Sequence, residues 1–128
     1  MYLLVDNVVK LRSIVPEIPE IAYDLYETSE NTVFIVFSQV QNVCTTVQQH
    51  VSKVRVGIAS EDFINKIIQQ YRRPVLFIPC ATQTKELVSQ LQQNFPYLEA
   101  LSPKNGKINA GYGIIKLEKD GTFVLLRN

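Results

Sequence analysis

One histidine, His50, and two cysteines, Cys44 and Cys80, are all the soft metal-ligating chemistry in 128 residues. Neither cysteine belongs to a CxxC pair or a His-rich stretch, which argues against a zinc site and against a disulfide framework. An excess of either charge is missing too: 13 basic and 12 acidic side chains leave a net +1. Bulk electrostatics therefore give no attraction to nucleic acid, and any RNA contact requires a local basic patch. No apolar run approaches the roughly 20 residues of a membrane span. The apolar start is broken by Asp6 and Lys10 and has neither a basic n-region nor a cleavage pattern, so neither a signal peptide nor a membrane partner is expected and the expected location is cytoplasmic. Glycine is scarce, and Gly111-Tyr112-Gly113, with no helical pattern after it, is a weak phosphate-loop signal; it reads more simply as a bulge or a tight strand entry.

What is present suits one compact domain over residues 1–128, with 46% hydrophobic and 20% charged residues. Met1 to Val5 reads as a strand, and Asn7 as the cap of a helix with Val8, Leu11, Ile14 and Val15 on one stripe, ended by Pro16. Pro19 suits the first turn of a second helix with Ile18, Ile21, Ala22 and Leu25 on its apolar face. Val33 to Phe37 is a β-forming run expected centrally in a sheet. Gln39 to Lys53 is polar, and Val43, Val47 and Val51, spaced by four, permit a helix on one sheet edge.

The stretch Val54 to Thr82 carries the clearest pattern. Val56-Gly57-Ile58 reads as a short buried strand, Ser60 as an N-cap, and Glu61 and Asp62 as first-turn acids favoured by the helix dipole. Phe63, Ile64, Ile67, Ile68 and Tyr71 form one helical stripe. Pro74 ends it, and Val75 to Ile78 reads as a strand buried on both faces. Thr82 or Thr84 then caps a helix with Leu87, Val88, Leu91 and Phe95, stopped by Pro96, and 102–111 is a loop. Ile114 to Leu117 and Phe123 to Leu126 flank Asp120-Gly121, the signature of a hairpin. Strands alternating with helices before a final hairpin give an α/β class with an open, twisted mixed sheet and helices packed on it.

These runs resemble the YrdC-like family, the threonylcarbamoyl-AMP synthases and translation factors of that type. VRVGIASEDFINKIIQQYRRPVLFIPCAT is similar to the family's "VGIRVP" strand leading through a helix to "G(R/K)PL..SAN". Upstream, MYLLVDNVVKLRSIVPEIPEIAYDLYETSENTVFIVF is similar to a run containing "VPEIP" and "PGPLT(F/V)IL"; downstream, GYGIIKLEKDGTFVLLRN is similar to "PSTIVDL..DG...LR.G". The similarity covers nearly the whole chain in order. It implies a YrdC-like sheet and, by analogy alone, a link to tRNA threonylcarbamoyl-adenosine modification.

In that family, the resemblance implies, a Lys and Arg pair and the segment "PTDTVYGL" help to hold ATP, and both fall ahead of Met1. A domain shortened at its N-terminus is therefore the expectation. The arginine of "VGIR" falls on Ala59, which cannot contact a phosphate. "SAN" falls on Cys80-Ala81-Thr82 with a one-residue insertion, leaving a thiol and a hydroxyl, or on Pro79-Cys80-Ala81 without it. "PST" falls on Gly111-Tyr112-Gly113. Each lost charge-assisted bond to phosphate costs about 1.5–3 kcal/mol, so an intact ATP-dependent synthase is not expected from this chain.

Outside those positions, Cys80 reads as a small strand-end residue rather than a nucleophile, and His50 as an exposed helical position. Arg72 and Arg73 after Tyr71 either offset a helix dipole or meet nucleic acid, and Lys104, Lys107 and Lys116, with Tyr112, form a second basic set that solvated lysines explain equally well. The expectation is a non-catalytic module, a pseudoenzyme without cofactor, binding RNA, a nucleotide or a protein. Its rival is a synthase using ATP, Mg, threonine and bicarbonate once another segment or chain complements it. A shortened sheet would also expose an edge, to be covered by a second copy in a homodimer or by the 39–53 helix.

Overall fold

The computed structural model describes residues 2–37, 39–49, 54–77, 84–94, 112–117 and 122–127. The chain divides into two compact units, Met1–Phe77 with Asn109–Asn128, and Ile78–Ile108. In the second unit the described element is α5, Thr84–Asn94.

The first unit is built on a six-stranded mixed sheet. Its strands are β1 (Tyr2–Val5), β2 (Thr32–Val36), β3 (Arg55–Ile58), β4 (Val75–Phe77), β5 (Tyr112–Leu117) and β6 (Phe123–Arg127), in the order β4-β1-β3-β2-β5-β6. β1 runs parallel to β3 and β2 parallel to β5; the other neighbours are antiparallel. The helices are α1 (Val8–Ile14), α2 (Glu20–Thr28), α3 (Thr45–Gln48) and α4 (Asp62–Tyr71). An α/β mixed open sheet ending in a β5–β6 hairpin is thus the architecture, with β2 in the interior as its apolar run requires.

Register explains which residues face which layer. Tyr2, Arg55, Val36 and Lys116 lie across one row, and Leu3, Val56, Ile35 and Ile115 across the next, and successive rows point to opposite faces. On one face Leu3, Val5, Val33, Ile35, Val56 and Ile115 pack with Leu11, Ile14 and Val15 of the first helical segment and Ala22 of α2. On the other, Leu4 and Phe34 pack with Ala59 and with Ile68 of α4. Fully burying each large aliphatic contributes about 1.5–3 kcal/mol, so Leu11 and Ile14, both essentially inaccessible, fix α1.

Local chemistry sets the boundaries. The Asn7 side chain accepts from the Lys10 backbone N–H at 2.9 Å and starts α1. At the other end Gln41 N–H donates to the Ile14 carbonyl at 2.7 Å, and Asn42 Nδ2 to the Ser13 carbonyl at 2.8 Å. That task corrects the reading of 39–53 as an edge-covering helix. Asn42 sits in the left-handed region at φ 55°, the segment caps α1, and α3 is a single turn whose Val47 joins the helix-covered core. A second correction concerns Ser60. Its hydroxyl lies 2.9 Å from Thr32 Oγ1 and its N–H donates to the same oxygen at 3.2 Å, so it does not cap α4, which begins after Glu61. A third concerns β4, an edge strand rather than one buried on both faces, with Leu76 55% exposed. The Asp120-Gly121 turn lies outside the described residues.

Two positions carry sharp stability tests. A Cβ on Gly57 would stand 3.0 Å from Phe34 Cδ1 and 3.0 Å from the Val33 carbonyl oxygen. Gly57→Ala is expected to cost about 1–3 kcal/mol in urea denaturation, because the backbone oxygen cannot move aside. Tyr26 donates its hydroxyl to the Val56 carbonyl at 2.6 Å, and burial of that end of the ring pushes the phenol well above the ordinary tyrosine value. Above pH of about 10 the unfolded chain releases this proton while the folded one keeps it, so the unfolded state binds fewer protons and stability falls as pH rises. Tyr26→Phe is expected to lose about 1–2 kcal/mol at neutral pH and to flatten that alkaline decline in pH-dependent unfolding.

Candidate functional site

β1 and β3 are adjacent and parallel, but the chain leaves them in opposite directions. After β1 it enters α1, on the face of Leu3 and Val5; after β3 it enters α4, on the face of Leu4 and Phe34. The carboxyl ends of two such strands form a topological switch point, the place where open α/β sheets present ligand crevices. Ala59 N–H donates to the Val5 carbonyl at 3.0 Å and holds the two strand ends together.

Around this junction stand Asp6 and Asn7 after β1, Ser60 and Glu61 after β3, and Thr32 at the start of β2. Asn7 Nδ2 donates to Asp6 Oδ2 at 3.1 Å, whereas Asp6 Oδ1 is shielded from solvent without a hydrogen-bond partner. α4 then returns to the same end of β1. Lys10 Nζ donates to the Arg72 carbonyl at 3.4 Å, which brings the end of α4 beside the first turn of α1. The ten residues of α4 span about 15 Å, so its acidic start, Glu61 and Asp62, is separated from its basic end. The rim is polarised, with acids and hydroxyls toward β2 and cations toward β4.

Arg72 holds the left-handed conformation, φ 63° and ψ 21°, that ends helices and normally falls to glycine. Both arginines are exposed. Lys10 was invisible to sequence reasoning because it is 62 residues from Arg72; the only available signal was that Asn7 fixes the helix that carries it.

The other predicted positions add no charge to these cations. Ala59 is 5% exposed and belongs to the apolar layer with Leu4, Phe34 and Ile68. The Tyr112 ring joins the same layer, 5.9 Å from Phe34 and 5.5 Å from Phe77. Tyr2 completes the group, 5.0 Å from Phe34 and edge-on, with the Arg55 guanidinium 5.2 Å from its ring centroid. Gly113 pairs with Val33 inside β5, and the register shift of the hairpin comes one residue later, between Ile114 and Ile115. Lys116 is exposed in the row of Arg55, at the amino end of β3 and away from Arg72. Among the described residues Lys116 therefore stands apart from Arg72 and Arg73, as two separate basic sets require. Cys80, Thr82, Lys104, Lys107, Gly111 and His50 lie outside the described residues.

Among the described residues no group of three or more His, Cys, Asp or Glu side chains is placed to hold a metal ion. No described helix is long and apolar enough to cross a membrane. No family model matches the sequence, and neither a curated protein nor a solved structure is similar to it.

The left-handed arginine yields a direct test. An L-residue in that region carries a cost of about 1–2 kcal/mol, which glycine escapes in part through its missing Cβ. Arg72→Gly is expected to raise unfolding stability by about 0.5–1 kcal/mol in urea titration, marking Arg72 as a residue held against its backbone preference.

Proposed function

We propose that this chain is a non-catalytic YrdC-like domain that binds a phosphate-bearing ligand, RNA first among these, at the carboxyl ends of β1 and β3. The observation that carries the reading is the Lys10–Arg72 contact, which brings the Lys10 ammonium to the backbone at the end of α4, where two exposed arginines follow one another. Lys10 spends one N–H on the Arg72 carbonyl and retains others, while both arginines offer planar forks suited to phosphate oxygens. The Thr32 and Ser60 hydroxyls, already bonded to each other, supply neutral donors and acceptors on the opposite rim for sugar or base groups.

The absence of catalysis is supported by what fills the positions that the family resemblance assigns to ATP. Ala59 and Tyr112 both belong to hydrophobic packing, so neither delivers charge to a phosphate. tRNA is the nearest macromolecule by that resemblance. The reading also includes self-association of the domain, because the sheet has an open edge.

Fluorescence anisotropy with a short single-stranded RNA tests the binding. Affinity is expected to fall with salt, and each of Lys10→Ala, Arg72→Ala and Arg73→Ala is expected to reduce the logarithmic salt slope by about 0.7. Calorimetric titration with ATP is expected to give no heat at millimolar nucleotide. Micromolar ATP binding, or RNA affinity unchanged in the triple variant, contradicts the proposal.

A further inference from the structure

Asp6 is the first residue beyond β1, and its carboxylate is only partly used. Oδ2 accepts from Asn7 Nδ2 at 3.1 Å in an exposed hydrogen bond, whereas Oδ1 is shielded from solvent and has no partner. The Asn7 amide is itself held at both ends, because its Oδ1 accepts from the Lys10 backbone N–H at 2.9 Å. Asn7 therefore orients the Asp6 carboxylate. Across the strand ends Ala59, whose N–H is taken by the Val5 carbonyl, brings no side-chain donor. A carboxylate can accept about four hydrogen bonds, and one with a dry, unpaired oxygen takes a further donor more strongly on the oxygen it exposes.

We infer that Asp6 Oδ2 accepts a ribose 2′-hydroxyl and makes the rim select RNA over DNA, an assignment that rests on the phosphate-binding reading above. Lys10 lies less than one turn beyond Asn7 on α1, about 5 Å along its axis, so Asp6 and Lys10 can meet the sugar and the phosphate of one strand. A carboxylate repels phosphate oxygens, so what it takes from a polyanion is an uncharged O–H or N–H. The 2′-hydroxyl is such a donor at every RNA nucleotide and is missing from DNA. Base amino groups are the competing donors, and uracil carries none. Glu61 is the other carboxylate beside the junction, but it opens α4 without a side-chain capping bond to orient it.

Fluorescence anisotropy of the full chain with a short oligouridylate, its 2′-O-methyl form and the matching oligodeoxyuridylate reads this selectivity. Wild type is expected to bind the RNA about tenfold or more tightly than either of the others, as one charge-assisted hydrogen bond implies. Asp6→Ala is expected to bring that ratio close to one. Its logarithmic salt slope is expected to stay unchanged, because no cation is lost, and its affinity for the 2′-O-methyl oligomer to match or exceed that of wild type, because a repulsive charge is gone. Asp6→Asn keeps the shape and a neutral acceptor, and is expected to retain a preference of about two- to threefold. Equal binding of all three oligomers by wild type, a preference undiminished in Asp6→Ala, or a uniform loss of affinity for all three in both variants overturns the assignment of Asp6 while leaving phosphate binding intact. Wild-type binding of none of them overturns the phosphate-binding reading itself, and this inference with it.

Discussion

The close approach of Phe34 to the bare backbone of Gly57 is the contact on which the α4-covered side of the sheet depends. Without a Cβ on β3, the ring comes down over the strand, and Tyr2, Phe77 and Tyr112 gather around it with centroid separations of 5.0 to 5.9 Å to Phe34. Most of these pairs are edge-on, the arrangement that aromatic quadrupoles favour at about 0.5–1.5 kcal/mol per pair beyond area burial. The layer draws residues from β1, β2, β4 and β5 together, so one glycine ties both halves of the sheet to a common packing centre. α4 lies over it through Ile64 and Ile68.

From that packing follows the position of the candidate site. With α4 seated on the aromatic layer and α1 seated on the reverse face, the ends of β1 and β3 are left as the junction between two divergent connections. α4 must then come back toward β1 for β4 to pair with it, and the return carries the Arg72 carbonyl to Lys10. Ala59 and Tyr112 contribute to stability in the same layer, and polar side chains stand at the rim.

Much of this fold was legible from periodicity and caps. Asn7, the Leu11 and Ile14 stripe, the buried Val33 to Phe37 run and the final hairpin all act locally, so neighbouring residues carry their signal. The misreadings came from long-range demand. Valines at 43, 47 and 51 suggested a helix, but the backbone at 41 and 42 is used to close the end of α1. Ser60 matched a cap and was drawn instead to Thr32, 28 residues away. Val75 to Ile78 had the composition of a strand buried on both faces, yet β4 pairs with β1 alone at the sheet edge, and strand order is a long-range property that composition does not encode. Of the site, Arg72 and Arg73 were visible as a basic pair, whereas Lys10 required the topology that brings α1 and the end of α4 together.

The central claim is that phosphate binding occurs at the rim formed by Lys10, Ser60, Arg72 and Arg73, and not in the aromatic layer. Amide chemical-shift mapping during titration with a short single-stranded RNA tests it most directly. Shifts concentrated at residues 6–10, 59–61 and 71–73 are predicted, with the ring signals of Phe34 and Tyr112 unchanged. Shifts centred on Tyr2, Phe34, Phe77 and Tyr112, or no shifts on the rim at saturating RNA, would contradict it.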